Sequence, residues 1–201
     1  QGFYTDFFRL ESNLSKSKVI MATMGGHEGQ PAGLSYYHYD DLYADAFPAN
    51  GTIGNKGKVY SFNYGNAHFV CLSSYTISLT TQATWLAADL AAARANPNIK
   101  WIFAFMHAPM YTTSGHPNRT DEITAWGPIF DLYNVDIVFA SHNRLYERSK
   151  SIKAGAAAPD AICPRPGRRP SDHRRQPLLR RRPLLGKRTR VAVSAIQCSP
   201  N

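Results

Sequence analysis

The chain has 201 residues and a formal net charge of +9, long enough to bury one substantial core. It contains nothing approaching the roughly 18 to 20 consecutive apolar residues of a membrane span, and no basic-then-apolar leader opens it. Residues 1–153 hold 12 Lys or Arg against 12 Asp or Glu, whereas residues 154–201 hold 11 against 2, so the whole basic excess sits in the tail. Cys71, Cys163 and Cys198 are widely scattered, form no CxxC pair and leave at least one thiol unpaired, which identifies no redox compartment.

In chain order, "VIMATM" at 19–24 is the first short continuous apolar run and reads as a strand covered on both faces. Residues 58–73, "KVYSFNYGNAHFVCLS", alternate apolar and polar around "YGN", the pattern of a hairpin. In "TTQATWLAADLAAARANP", Thr80 or Thr81 can cap a helix. Trp85, Leu86, Leu90 and Ala93 share one face of it, and Asn96-Pro97 ends it. "WIFAFM" at 101–106 and "DIVFA" at 136–140 repeat the buried-strand pattern. Between them Ile129, Leu132 and Tyr133 recur at helical spacing after Pro128, which suits a first helical turn. The alternation predicts an α/β fold whose sheet has an antiparallel edge.

The tail from residue 154 has seven prolines and no aromatic residue. It buries too little apolar surface to offset backbone ordering, so it reads as disordered, or as sequence translated out of frame. As a real segment it would be a basic arm for nucleic acid or an anionic surface. The domain reading is therefore a body over 1–153 and a basic Arg/Pro-rich tail over 154–201.

Three buried runs end in histidine: "GGHE" brings His27, "HAPMY" His107 and "SHNR" His142, each within three residues of a strand's carboxyl end. In an open α/β sheet ligands bind at that edge. Neutral imidazole is a metal ligand and imidazolium a phosphate partner, so three together point to a metal or phosphate site. Singly, each would be read as structural, as His68 in the hairpin is. His116, in the loop "TTSGHPNRT", is a candidate substrate contact.

The blocks "GGHE", "GNAHFVCLSS", "QATWLAADLAAARANPNIKWIFAFMHAPMYTTSGH" and "YNVDIVFASHNRLYERS" resemble the calcineurin-like metallophosphoesterases, most closely their purple acid phosphatase branch, over residues 1–153. The resemblance implies a four-layer α/β/β/α sandwich of which this chain lacks the first strands and the closing strands. It also implies two metal ions, ferric iron beside iron, zinc or manganese, and hydrolysis of a phosphoester substrate by a metal-activated water. Such proteins are usually exported, which implies a periplasmic or secreted origin.

Carried over position by position, the family's Gly-Asn-His-Asp/Glu block reads Gly25-Gly26-His27-Glu28. His27 keeps the catalytic role, and Gly26 replaces a ligating asparagine. His107 and His142 fall on second-metal ligands. Arg144 stands where the first metal would have a histidine and becomes, with His116, a candidate phosphate contact. The family's blocks that would bring the aspartates and a tyrosine are not matched in this sequence, and the resemblance implies that they would lie on strands before residue 1. Two neutral nitrogens and a nearby cation hold at most one ion weakly. The reading is a metal-dependent acid phosphatase-like hydrolase, impaired in this chain. The alternatives are a phosphate-binding protein without catalysis, or a protein acting through its basic tail.

Overall fold

In the computed structural model, residues 9–10, 12–28, 45–51, 56–143, 145–157 and 191–194 are described. A single helical turn, α1 (Ser12–Ser15), comes first. The hairpin follows as β1 (Tyr60–Tyr64) and β2 (Ala67–Cys71), antiparallel with Tyr64 opposite Ala67. Only two residues close it. Gly65 takes φ 59°, which costs a residue without a Cβ nothing.

Helix α2 (Leu79–Ala95) starts two or three residues earlier than predicted, because Ser78 and not Thr80 or Thr81 caps it: the Ser78 hydroxyl accepts from the Thr81 N–H. Asn96 ends it as predicted. Gln82, Leu86, Leu90 and Ala93 are its buried face, which packs with Trp126 and Phe130 of α3 (Thr120–Leu132). Each fully buried large side chain contributes roughly 1.5–3 kcal/mol. The α3 reading needs correction: Pro128 lies in the helix interior, and the first turn begins eight residues earlier, where Asp121 and Glu122 meet the positive end of the helix dipole.

Strands β3 (Trp101–Phe105) and β4 (Ile137–Ala140) run parallel to β2. Side chains alternate across them. Val70, Ile102, Ala104 and Val138 go under the two helices, whereas Phe62, Phe69, Phe103, Phe105 and Phe139 form a half-buried aromatic row on the other face. Beyond β4 come β5 (Glu147–Arg148), the small hairpin β6 (Ile152–Lys153) and β7 (Ala156–Ala157), and β8 (Val191–Ser194). The order of the main sheet is β1-β2-β3-β4-β8-β5, with β1 and β5 antiparallel to their neighbours.

Two elements differ from the sequence reading. Residues 19–24 form no ladder with any described residue: the Tyr60 hydroxyl donates to Ala22 O at 2.6 Å, and Met24 is buried. An apolar run that is only partly buried, with Val19 exposed, looks the same in sequence as one paired in a sheet. In the tail, "VAVS" is placed between β4 and β5, a strand hidden by the Arg/Pro sequence before it; residues 158–190 and 195–201 lie outside the described residues.

Candidate functional site

The carboxyl ends of β2, β3 and β4 open on one edge, because the three strands are parallel. His107 follows β3 and is buried, and His142 follows β4. Their rings meet, with His107 Nε2 3.2 Å from His142 Nδ1 and ring centroids 5.1 Å apart. Ser141 holds the pair from below: its N–H donates to His107 O at 2.9 Å, and its hydroxyl lies 3.1 Å from His107 Nδ1. A consistent proton arrangement has His107 Nδ1–H donating to Ser141 Oγ and His142 Nδ1–H donating to His107 Nε2.

Burial above all, with the nearby His142, His27 and Arg119, pushes the His107 imidazole down to about 4. His142 is lowered in the same direction, again by burial first and then by His116, Arg119 and His27. Both rings are therefore neutral at ordinary pH, with nitrogen lone pairs as their chemistry. His142 has φ 63°, a left-handed conformation that a non-glycine residue keeps only where its surroundings enforce it.

Of the other predicted residues, His27 sits exposed on the turn after the first apolar run, close enough to both rings to act on their protonation. The His116 ring is 4.7 Å from that of His142. Its loop is fixed by Glu147, which accepts from Thr112 Oγ1 and the Thr113 N–H, both at 2.6 Å, and by Asn143, which donates to Thr112 Oγ1 at 2.8 Å. Gly26 lies directly against the pair: a β-carbon there would be 3.2 Å from His107 Nε2 and 3.1 Å from Tyr75 Cε2. Arg144 lies outside the described residues. His68 is structural in its contacts, with its ring nitrogens 2.7 Å from Asn63 Oδ1 and 2.7 Å from Asp89 Oδ2.

The structure adds residues that the sequence reading passed over. Tyr75 packs its ring against His107 at 5.6 Å and His142 at 6.5 Å between centroids. Ser74 Oγ accepts from Ala108 N at 3.0 Å. Both follow β2, and the strand-end rule that selected the histidines would have found them had β2 been read as a parallel partner of β3 and not only as a hairpin arm.

No family model matches the chain. Purple acid phosphatase 13 of Arabidopsis thaliana is 33% identical over 153 residues, which is 72% of this chain and 27% of that protein. Purple acid phosphatase 23 of the same plant is 32% identical over 150 residues, 72% of this chain and 32% of that one. The chain is related to the purple acid phosphatases. The solved purple acid phosphatase PPD1 of yellow lupin (Lupinus luteus) seeds superposes with a TM-score of 0.50 at 19% identity, covering 68% of this chain and 25% of that one. That likeness gives the fold, a mixed α/β sheet of the metallophosphoesterase sandwich. The chain spans about a quarter to a third of these proteins.

The family relation implies a dinuclear metal centre, and the described residues do not fit one. No group of three or more His, Cys, Asp or Glu side chains among them is placed to hold a cation. His107 and His142 spend lone pair and N–H on each other, and Glu28, whose carboxylate lies beside Gly25 on the His107 side, does not bring the set to three ligands among the described residues. A dinuclear centre needs anionic ligands to bridge and balance its ions. No helix among the described residues is long and apolar enough to cross a membrane.

Proposed function

We propose that this chain is the imidazole-bearing part of a phosphoester hydrolase of the acid phosphatase kind, and that alone it binds a phosphoester without turning it over. The observation that carries this reading is the His107–His142 contact, 3.2 Å at the carboxyl ends of two adjacent parallel strands, in a chain related to the purple acid phosphatases. Binding and orientation are the chemistry left to these residues. His27, on an exposed turn, donates to a phosphate oxygen, and His116, with its ring 4.7 Å from that of His142, offers a second donor. Arg144, one residue beyond the buried Asn143, supplies the positive charge that neutral imidazoles do not.

Two measurements test this. Titrating inorganic phosphate into the full chain should move the ring signals of His27, His107 and His142 in nitrogen-15 spectra. With added iron, zinc or manganese at acidic and neutral pH, an aryl phosphate should be hydrolysed no faster than by His107→Ala. Metal-dependent turnover that disappears in His107→Ala would overturn the claim that the chain alone is inactive. Ring signals indifferent to phosphate would remove the phosphate reading itself.

A further inference from the structure

The loop Ser73–Ile77 after β2 touches the histidine pair through the Tyr75 ring, and beside it Ser74 accepts from the N–H of Ala108, the residue that follows His107. Its two ends are fixed by one side chain: the fully buried Gln82 accepts from Ser73 N at 2.9 Å and donates to Ser73 O at 2.8 Å and Ile77 O at 3.0 Å. Its middle is held by another element. Arg119, at the start of α3, donates from Nη2 to Ser74 O at 3.1 Å and lays its guanidinium 5.2 Å from the centre of the Tyr75 ring.

Arg119 is not there as a helix cap. It occupies the N-cap position of α3 without capping it, and a cation at a helix N-terminus opposes the helix dipole. Two carboxylates offset this: Asp121 accepts from Nε and Nη2 at 3.0 and 2.8 Å, and the wholly buried Glu122 brings Oε1 to 3.3 Å from Nη2. Neither Glu122 oxygen has a well-directed hydrogen bond among the described residues, so a buried carboxylate is kept there chiefly to face the guanidinium and Ser74.

We infer that Arg119, braced by Asp121 and Glu122, is a positioning residue for the His107–His142 pair, acting through Ser74 and Tyr75. Its consequence for phosphate binding rests on the function proposed above, whereas its effect on the ring contact does not. The guanidinium fork joins a backbone carbonyl, an aromatic face and two carboxylates at once, which an ammonium cannot.

The full chain, labelled with nitrogen-15 in histidine, decides the matter. Without phosphate, Arg119→Met should move the ring signals of His107 and His142, Arg119→Lys should restore them only in part, and the exposed Thr124→Ala on the same helix should leave them in place. Tyr75→Ala should reproduce Arg119→Met, Tyr75→Phe should keep the ring contact, and the double variant Arg119→Met with Tyr75→Ala should be no worse than either alone. Phosphate affinity should fall roughly tenfold in Arg119→Met, the scale of losing a supporting partner. Ring signals unmoved in Arg119→Met, or effects that simply add in the double variant, would overturn the inference. Should Arg119→Met not fold, Tyr75→Ala alone decides, and unmoved signals there overturn it equally. A wild-type chain blind to phosphate would sink the functional reading and leave the ring result standing.

Discussion

The two ends of the sheet both bury polar groups, and they treat them differently. At the amino end each is matched. Asp136, just before β4, accepts from Ile102 N at 2.8 Å and from Arg94 Nη2 at 3.2 Å, and Arg94 Nε donates to Tyr133 O at 2.6 Å. Asp89 uses one oxygen for Ser61 and the other for His68. At the carboxyl end Glu122 and Asn143 keep buried oxygens without a well-directed hydrogen bond among the described residues, and His107 is desolvated, whereas a left-handed backbone occurs at both ends, at Asn134 and at His142. Full satisfaction is what stability selects, and strain tolerated against stability marks where a fold keeps its chemistry.

The sharpest way to break this comparison is Asp136→Ala. It orphans the Ile102 N–H and loosens the tie that Arg94 makes between α2, α3 and β4, and should cost about 3 kcal/mol. Denaturant titration measures it, and the ring signals of His107 and His142 should stay where they are. A loss under about 1 kcal/mol would mean that the amino end is not the stabilising one.

Next in size is the pH dependence carried by Glu122. Burial above all, only partly opposed by Arg119 and Ser74, pushes its carboxyl up to about 7 from an ordinary 4.5. Between those values the folded chain binds more protons at this group than the unfolded chain, so its contribution to stability is whole below pH 4.5 and declines as pH rises through 7. At 1.36 kcal/mol per unit the full swing is about 3 kcal/mol. Glu122→Gln removes the titration and should gain about 2 kcal/mol over the wild type at pH 8 and nothing at pH 4.5, since the amide must itself find partners. Melting curves of the two chains that stay parallel across this range would show that the carboxyl is ionised throughout.

Much of the amino end was legible in the sequence, and less of the site. The hairpin around Gly65 and the buried face of α2 follow from local rules, which short loops and periodic residues obey without help from the rest of the chain. His107 and His142 were legible because strand ends in parallel sheets converge. Arg119 and Glu122 were not: Arg119 pairs locally with Asp121 and Glu122, but its bond to Ser74 O spans 45 residues to another strand's loop, and a local ion pair at a helix start carries no sequence signal of that tertiary contact. Pro128 misplaced the start of α3 because proline favours first turns yet is tolerated inside a helix that packing holds.

The smallest effect expected belongs to Gly26→Asn, which would place here the asparagine that the sequence resemblance implies as a ligand. From sequence alone this change should strengthen a metal site. The structure reverses that expectation for the chain as it stands, because the new β-carbon would press on His107 Nε2 at 3.2 Å and Tyr75 Cε2 at 3.1 Å. Those are contacts a few tenths of an ångström too short, and relieving them means moving the ring that Tyr75 and Arg119 hold, at a cost of about 1 kcal/mol. Thermal melting reads the cost, and the His107 ring signal reads the displacement. The comparison sharpens if Gly26→Asn is relieved by Tyr75→Leu, a smaller side chain at the point of contact. Gly26→Asn as stable as wild type, with its His107 signal unmoved, would show instead that the carboxyl end has slack, and that its unsatisfied groups reflect loose packing and not an enforced arrangement.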